Sequence, residues 1–381
     1  MASRFRVFAR RFFIYANIFI GILFVLACFA TPHLDPARWW FISFLAIAFP
    51  FLLFFMMLFL VGWLFIKPLR SLISAVPLLI GYKSISIFLA FHLSHSFHPE
   101  KDPHSIRIAT WNVARFVELK KNNNKGSQVR IKMMDQIEEQ DADILCLQEF
   151  QTSTNPEYYD NIDYIRRLLN YPYFYFSYDE DGAMQYYSSI IFSRYPIVDS
   201  GLVRYPRPTL PEVLMYADVK VNDDTIRVYT THLQSLQFRK SDYDKISSIE
   251  RVEQDSLISN SRTIFSKLKK GIVYRSIQAR VVKEELKNSI HPFLLCGDMN
   301  DVPNSYTYTT VRGDLQDAFL KKGWGIGRTF TSLSPTLRID YIFTDKNFRV
   351  QQIDRLVKSL SDHYMLVADL KLKPLSSKGE H

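Results

Sequence analysis

Two long uncharged runs near the N-terminus constrain the fold of this chain more than any other feature. Residues 12–30 and 39–66 contain no Asp, Glu, Lys or Arg; two tryptophans open the second run and Lys67 follows it. Each run is long enough to cross a hydrocarbon layer about 30 Å thick, and Trp and Lys suit the membrane interfaces. The runs therefore predict two transmembrane helices rather than two helices of a globular core.

A third apolar run, residues 72–93, leaves the number of membrane crossings open. A lysine such as Lys83, in its middle, costs about 2.5–3.5 kcal/mol on the insertion scale, whereas each Leu, Ile, Val or Phe returns about 0.3–0.6 kcal/mol. The run contains twelve of these apolar residues, so the sum slightly favours insertion. Neighbouring helices then decide whether the run is a third span.

The distribution of basic residues predicts the orientation of these spans. Lys67 and Arg70 follow the second run, and four arginines precede the first: Arg4, Arg6, Arg10 and Arg11. Both flanks are therefore expected in the cytoplasm. Three spans, the interpretation we favour, would place everything after residue 95 outside the cytoplasm, and two spans would leave it inside. A cleaved signal peptide, or a lipoprotein site at "VLAC", is the weaker interpretation because a second long apolar run follows.

The basic charge of the chain lies mainly in its N-terminal part. Residues 1–100 carry eight Lys or Arg and two acidic residues, whereas residues 101–381 carry 39 basic and 36 acidic residues. This balance argues against a highly basic nucleic-acid-binding face.

The three cysteines, Cys28, Cys146 and Cys296, all lie in apolar segments. Free buried thiols are therefore expected rather than a disulfide framework.

The predicted organisation is a membrane anchor over residues 1–98, a linker over 99–104, a soluble domain over 105–374 and a tail over 375–381. Four histidines stand between positions 92 and 104, in "HLSHSFHPEKDPH". Their spacing can bind a metal, but we interpret the segment as a polar linker that leaves the membrane. From residue 105 onward, short β-rich runs alternate with helical ones, which is typical of an α/β or α+β domain.

Polar residues able to bind a metal or transfer a proton stand at the ends of the predicted strands. Each residue alone has an ordinary explanation as a turn residue, a cap or a solvated strand end. Strand ends at one edge of a layered sheet converge in space, so the complete set predicts one polar site. The segments are "SIRIATWNV" with Asn112, "ADILCLQEF" with Glu149, "TIRVYTTHLQS" with His232, "PFLLCGDMND" with Asp298 and Asn300, "LRIDYIFTD" with Asp340, and "SLSDHYMLVADLKL" with Asp362 and His363.

In their order along the chain, these segments resemble the motifs of the endonuclease/exonuclease/phosphatase superfamily. The motifs are "TWNV", "LQEF", "TTHLQS", "CGDMND", "RIDYIF" and "SDHY", and the resemblance covers residues 105–372. The superfamily includes deoxyribonuclease I, abasic-site endonucleases, sphingomyelinases and inositol-polyphosphate phosphatases. The resemblance implies an α/β (α+β) four-layer sandwich of two packed mixed β-sheets, with the site at one end. It also implies a phosphoester hydrolase, and the anchor suggests a bacterial inner-membrane protein.

The resemblance further implies a divalent metal, Mg²⁺ or alternatively Mn²⁺, at this site. Mg²⁺ prefers carboxylate and water oxygens, so one or two protein ligands suffice to hold it. Glu149 is expected to be the principal ligand, assisted by Asn112. Asp362 is expected to contribute to the same metal site or to a second metal. The number of metals stays open.

The other motif residues are expected to carry out the reaction. Asp298 would orient or deprotonate the attacking water, and Asn300 would hold that water or the phosphate. His363, oriented by Asp340, would contact a non-bridging oxygen or transfer a proton. His232 would stabilise the phosphate or protonate the leaving oxygen. Which group is the general base stays open.

The expected substrate is a nucleic acid or a phospholipid or sphingolipid headgroup. The "THLQS" setting of His232 fits the nuclease and sphingomyelinase branches better than the polyphosphoinositide phosphatase branch. Arg328, in the glycine loop "GWGIGRTF", and Arg280 are candidate phosphate contacts. The alternative is a membrane-tethered scaffold of the same fold without catalysis, although all eight motif positions carry functional residue types. The sequence indicates no oligomeric state.

Residues 234–292 separate His232 from Asp298 by more than a minimal crossover requires. The segment is basic and partly amphipathic. It is either a solvated pair of surface helices or an arm that lies on anionic headgroups or guides a phosphate substrate. Its basic residues include Arg262, Lys267, Lys269, Lys270, Arg275 and Arg280.

Overall fold

A computed structural model gives the structure of the chain over residues 2–92, 97–121, 128–182, 184–209, 212–235 and 257–374. The chain divides into two compact units, which are described separately below. The first consists of Met1–Leu89, Gln237–Ser276 and Asp301–Thr310; the second consists of Ala90–Leu236, Ile277–Asn300 and Val311–His381. His95, the tail over 375–381 and the side chains of Arg4, Arg6 and Arg262 lie outside the described part of the structure.

The first unit contains the predicted membrane helices. Helix α1 (Ala2–Phe29) and helix α3 (Phe44–Ile66) are joined by α2 (Pro36–Trp39) and a 3-10 turn over Trp40–Ser43. Over Arg10–Phe29 and Pro36–Ile66 the helices are long and apolar enough to cross a membrane. The prediction of two apolar spanning helices is thus supported by the fold.

The third apolar run forms two short helices rather than one straight span. Helices α4 (Leu72–Ile80) and α5 (Tyr82–Phe88) meet at Gly81, and the pair is bent by 64°. A Cβ on Gly81 would lie 2.5 Å from the Phe24 ring, so the glycine allows α1 to pack against the bend. The run ends earlier than predicted, because Ala90 and Phe91 form strand β1.

The bent pair runs beside α1 and in the same direction along it. The Ser74 hydroxyl donates to Asn17 Oδ1 at 3.1 Å, and the Ser84 hydroxyl donates to the Cys28 carbonyl at 3.4 Å. The hydrogen-bonded positions run from Asn17 to Cys28 along α1 and from Ser74 to Ser84 along the bent pair, so the two segments are parallel.

The second unit contains two six-stranded mixed sheets. The first sheet has the order β13-β14-β2-β3-β5-β4 and the second has the order β10-β12-β9-β8-β7-β6; β1 pairs with β11 separately. The strands are β1 (Ala90–Phe91), β2 (Ile106–Asn112), β3 (Ile144–Ser153), β4 (Tyr173–Phe176), β5 (Gln185–Ser193), β6 (Ile197–Arg204), β7 (Val213–Val221), β8 (Asp224–His232), β9 (Phe293–Asp298), β10 (Gln316–Asp317), β11 (Trp324–Gly325), β12 (Asp340–Thr344), β13 (Phe348–Leu356) and β14 (Met365–Leu372).

Helices follow or precede these strands along the chain. From Leu257 to Lys287 the segment considered from the sequence as a pair of surface helices is one 31-residue helix, α8, and residues 236–256 lie outside the described part of the structure. Residues Ala279 and Val282 of α8 are fully buried. The described helices after β1 are α6 (Val129–Glu139), α7 (Asn161–Leu168), α8 (Leu257–Lys287), α9 (Tyr306–Arg312) and α10 (Ala318–Lys322), with a 3-10 turn over Ala114–Phe116.

The central strands are buried on both faces, which explains their continuous apolar sequences. Because side chains alternate along a strand, Ile108 of β2 lies in the core between the sheets, together with Cys146 and Cys296. Trp111, three residues further along β2, points to the opposite face and lies in the other core, together with Met133 of α6. The two sheets therefore pack as a sandwich, with helices on the outer face of the first sheet. All three cysteines are free and buried, as predicted.

Candidate active site

Three neighbouring strands of the second sheet bring predicted site residues into one row. Asp298, the last residue of β9, is paired with His232, the last residue of β8. On its other side Asp298 is paired with Asp340, the first residue of β12. The polar ends of these strands therefore meet at one edge of the sheet, as the sequence pattern predicts.

Gly297 fixes the position of this row. A Cβ at this residue would lie 2.0 Å from the carbonyl oxygen of Thr231, and the φ angle of Gly297 is +144°. An L side chain rarely adopts that conformation. The close neighbour of this glycine is the backbone of strand β8.

The first sheet contributes Asn112 and Glu149 to the same site. The pairing of β3 with β5 shifts between Leu147 and Phe150, and Glu149, inside this bulge, has a φ angle of +50°. A bulge re-aims a side chain that regular pairing would direct elsewhere. The Asn112 amide Nδ2 donates to Glu149 Oε1 at 3.3 Å and to Asp298 Oδ2 at 3.1 Å. One amide thus bridges carboxylates from both sheets.

His363 is held by Asp340 and faces Asp298. Its Nδ1 lies 2.9 Å from Asp340 Oδ2, and its Nε2 lies 3.6 Å from Asp298 Oδ2. Burial alone would lower the pKa of His363, but Asp340 and then Asp298 outweigh burial and raise this pKa to about 10. The Trp111 indole N–H donates to the His363 carbonyl at 2.9 Å, which fixes the backbone at this position. This raised pKa favours the protonated imidazolium form of His363.

His232 lies on the opposite side of Asp298. Its Nε2 is 3.7 Å from Asp298 Oδ2 and 3.8 Å from Glu149 Oε1, while its Nδ1 is 3.5 Å from Glu212 Oε1. Burial lowers the pKa of His232, yet the carboxylates, with Glu212 contributing most, raise it above its ordinary value. Both ring nitrogens are buried, and neither has a hydrogen-bond partner among the described residues.

Glu212 is the site residue that the sequence reasoning missed. It stands directly before β7, which is paired with β8 in the second sheet. Burial raises its pKa above the usual range, and His232 acts in the opposite direction. A signal was present, because an acidic residue next to a β-rich run, "EVLMYADVKV", meets the same strand-end criterion as the other positions.

Asp298 is the centre of this arrangement. Its side chain is 1% exposed, and its Oδ1 accepts the Asn300 backbone N–H at 2.8 Å. Burial and then the adjacent Asp340 carboxylate raise the pKa of Asp298, while both histidines act against this increase. Asn300 has a φ angle of +50°, and its Nδ2 donates to the Leu233 carbonyl at 2.9 Å. Asn300 therefore stabilises the turn that presents Asp298.

Three of the predicted site residues lie outside these contacts. Asp362 is exposed and accepts the Ser361 hydroxyl at 3.2 Å. Arg328 donates to the carbonyls of Phe330 and Thr331, so its guanidinium braces its own loop. Arg280 is half-buried on α8.

The donor set of the site suits a hard divalent cation. The possible ligand atoms of Asp298, Asp340 and His363 all lie within 4.8 Å of one another. Among the described residues, no other group of three or more His, Cys, Asp or Glu side chains lies this close together. Glu149 and Asn112 adjoin the group through the Asn112 hydrogen bonds. Carboxylate and amide oxygens are ligands that Mg²⁺ accepts. The site therefore suits a divalent cation, although this group differs from the predicted set of Glu149, Asn112 and Asp362.

Both the sequence and the structure of the chain are similar to those of known proteins. A family model described as the Endonuclease/Exonuclease/phosphatase family matches residues 109–363, and one described as a domain of unknown function (DUF8431) matches residues 10–88. A search of curated proteins finds no match.

Several solved structures are similar to this chain. An endonuclease/exonuclease/phosphatase from Beutenbergia cavernae DSM 12333 is 20% identical with a TM-score of 0.49, over 71% of this chain and 72% of that one. D. rerio TDP2 complexed with single strand DNA product is 18% identical with a TM-score of 0.48, over 71% and 100% of the two chains. The human Nocturnin catalytic domain with bound sulfate anion is 18% identical with a TM-score of 0.48, over 72% and 97%.

Proposed function

Because the chain belongs to the endonuclease/exonuclease/phosphatase family, we propose that it is a membrane-anchored, Mg²⁺-dependent phosphodiesterase. Its proposed substrate is a nucleic acid or a phospholipid or sphingolipid headgroup. The observation that carries the proposal is the buried cluster in which two histidines face one carboxylate, Asp298, from opposite sides. A phosphate group presents the negative oxygens that such a pair of N–H donors would bind.

The proposed principal metal ligand is Glu149, assisted by Asn112, whose amide donates to Glu149 Oε1 at 3.3 Å. A bound Mg²⁺ would supply positive charge to the non-bridging oxygens of the phosphate. Asp362, which is exposed, is a proposed ligand only for a second metal.

The proton transfers are assigned to residues of this chain. Asp298 has a pKa raised by burial, which suits a general base that takes a proton from the attacking water. The backbone N–H of Asn300 fixes the orientation of that carboxylate. His363, protonated and held at Nδ1 by Asp340, donates its Nε2–H to a phosphate oxygen. His232, whose pKa is also raised, protonates the leaving oxygen.

We further propose that the anchor crosses the membrane three times. The bent pair of α4 and α5 follows α1 from Asn17 to Cys28, which suits a third crossing parallel to the first. With Arg10, Lys67 and Arg70 in the cytoplasm, the chain from residue 90 onward would be extracytoplasmic. A C-terminal reporter active on one side of the membrane would test this orientation.

The activity is tested with the full chain in nanodiscs, Mg²⁺ or Mn²⁺, and a panel of phosphoesters. The panel contains single-stranded DNA, RNA, sphingomyelin, a glycerophospholipid, a soluble chromogenic diester and a phosphomonoester. We expect turnover of a diester that EDTA abolishes and Mg²⁺ restores.

Asp298→Ala and His363→Ala should each lower turnover by at least about a hundredfold, because each removes a group needed for proton transfer or charge stabilisation. Both variants should remain folded and unfold in one cooperative transition. Asp223→Ala, at an exposed turn, and His291→Ala, outside the site, are the matched controls. Near-normal rates in either site variant would contradict these roles. No turnover of any substrate with either metal would favour the scaffold alternative.

A further inference from the structure

The membrane anchor contains an apolar groove that ends in basic side chains. The groove lies between α1 and α3 and has a volume of about 690 Å³. Phe13, Phe55 and Phe59 belong to its apolar wall, whereas Arg10 and Arg70 line it together with Lys67. Arg10 stands near the start of the apolar part of α1, and the other two cations follow α3. The positive charge is therefore gathered at one end of an otherwise apolar surface.

Two hydrogen-bond donors at this end are buried without a partner among the described residues. They are the indole Nε1 of Trp63, whose residue is 4% exposed, and the Nη1 of Arg70. The Arg70 guanidinium lies over the Trp63 ring, 5.4 Å from its centroid. Buried donors of this kind are normally paired, so this pair points to an acceptor that belongs to a ligand.

A second groove in the same unit shows what distinguishes the first. It has a volume of about 450 Å³ and lies beside α1 and α4, where Ile18, Gly21 and Val76 help to line it. No charged residue lines that groove. Bulk acyl chains satisfy such a surface, but they offer no acceptor to Arg70 or Trp63.

We propose that the groove between α1 and α3 is a binding site for one anionic glycerophospholipid. Its phosphate would accept from Arg70 and Trp63, with Arg10 and Lys67 completing the positive environment, and one acyl chain would lie along the phenylalanines. Basic pockets between membrane helices recognise anionic headgroups in this way. A zwitterionic lipid carries its own cation, which the same residues repel. The proposal rests on the membrane insertion proposed above and is independent of the hydrolase activity.

The test uses native mass spectrometry of the full chain released from detergent with equimolar phosphatidylglycerol and phosphatidylcholine. EDTA is present so that turnover cannot remove a bound lipid. We expect the wild-type protein to retain phosphatidylglycerol over phosphatidylcholine by about fivefold or more. Arg70→Gln should abolish this preference. Trp63→Phe should reduce it several-fold, because it removes the N–H but keeps an aromatic ring beneath the guanidinium.

Arg38→Gln is the matched control. Arg38 also lies over a tryptophan, 5.8 Å from the Trp39 centroid, but it does not line the groove. This variant should retain the wild-type preference. Equal retention of both lipids by the wild type would overturn the proposal, as would an equal loss in Arg38→Gln and Arg70→Gln. Displacement of the lipid by excess glycerol 3-phosphate would also overturn it, because a free anion would then be sufficient. If Arg70→Gln does not fold, an unchanged preference in Trp63→Phe overturns the proposal.

Discussion

At the scale of single residues, the chemistry of the site depends on which carboxylate faces which histidine. Asp340 lies 2.9 Å from Nδ1 of His363, and Glu212 lies 3.5 Å from Nδ1 of His232. In both pairs the neighbouring carboxylates outweigh burial and raise the pKa of the imidazole. Each Nε2 is then directed toward the region of Asp298. Both Nε2 atoms therefore lie within 3.7 Å of the same carboxylate oxygen, Asp298 Oδ2.

The pair of His363 and Asp340 predicts how the stability of the metal-free protein changes with pH. Burial lowers the pKa of His363, but Asp340 and Asp298 raise it from 6.5 to about 10. Because the folded protein binds this proton more tightly, the contribution to stability is complete below about pH 6.5 and is lost as pH rises toward 10. We expect the unfolding midpoint of EDTA-treated protein to fall over this interval, and to fall less steeply in Asp340→Asn.

The measurement is thermal unfolding of both proteins at several pH values between 6 and 10, read as the slope of the midpoint against pH. Asp345→Asn is the matched control, since Asp345 directly follows β12 and accepts the backbone N–H groups of Phe293 and Asn347. Its slope should equal that of the wild type. Identical slopes in wild type and Asp340→Asn would show that Asp340 does not hold the His363 proton.

At the scale of secondary-structure elements, two irregular positions align the sheets at the site. Gly297 lets β9 lie against the Thr231 carbonyl of β8, so that Asp298 is level with His232. The bulge in β3 turns Glu149 toward Asn112. Regular strands would carry the same residues but would not bring these side chains together. The site is therefore as sensitive to backbone geometry as to the identity of its polar groups.

Gly297→Ala tests the first of these positions. The added Cβ would lie 2.0 Å from the Thr231 oxygen, at a φ of +144°, so the change combines steric overlap with an unfavourable backbone conformation. We expect a loss of about 2–5 kcal/mol in the free energy of unfolding. Gly313→Ala is the control, because Gly313 has a φ of +45° and no atom lies within 4 Å of the point that its Cβ would occupy.

Gly313→Ala should lower the free energy of unfolding by about 1–2 kcal/mol, because only the unfavourable backbone conformation contributes at this position. Denaturant unfolding followed by tryptophan fluorescence measures both changes. Equal losses in the two variants would mean that the contact with Thr231 relaxes without cost and does not fix the position of β9.

At the scale of the whole molecule, the chain returns to the anchor unit after leaving it. The Thr31 hydroxyl donates to the carbonyl oxygen of Asn304 at 2.7 Å. The side-chain Nδ2–H of Asn304 donates to the carbonyl oxygen of Ser84 at 3.0 Å. Oδ1 of Asp301 accepts the Val302 backbone N–H at 3.0 Å, and its Oδ2 lies 3.5 Å from Arg275 Nε. The segment next to Asp298 in the sequence is thus part of the anchor unit.

The basic part of α8 also belongs to the anchor unit. The Lys269 ammonium lies 5.2 Å from the Trp40 ring centroid, and the Phe265 ring packs edge-to-face on Phe44 at 5.6 Å. Interfacial tryptophans lie at the headgroup level of a bilayer. These contacts favour the arm interpretation of this segment over a helix surrounded by water.

The arm predicts a dependence on lipid charge. Replacing Lys267, Lys269 and Lys270 by Gln should lower turnover of a lipid substrate in anionic vesicles by about tenfold or more, since each lysine near the surface contributes about 1 kcal/mol. Turnover of a soluble diester should not change. The matched control replaces exposed lysines of the other unit: Lys220, Lys321 and Lys346. Equal losses on both substrates, or in both triple variants, would exclude an arm that binds the membrane.

The strand-end motifs allowed much of the site to be predicted, because each consists of a few consecutive residues at a recognisable position. The meeting of His232, Asp298 and Asp340 was predicted in this way. Glu212 was missed although it also stands at the end of a β-rich run, because no family motif surrounds it and its proximity to His232 depends on the pairing of strands. Arg328 stays a candidate phosphate contact; its guanidinium donates to the nearby carbonyls of Phe330 and Thr331, which its glycine-rich sequence does not reveal.

The sequence by itself determined the apolar anchor, the β-rich domain and its family, because hydrophobic length and short ordered motifs are local properties. The tertiary structure decided the bend at Gly81, the bulge at Glu149 and the pairing of Glu212 with His232. It also placed the cations of Arg10 and Arg70 at one groove. These features arise from contacts between residues distant in sequence, where packing and burial, rather than local pattern, determine the lowest free energy.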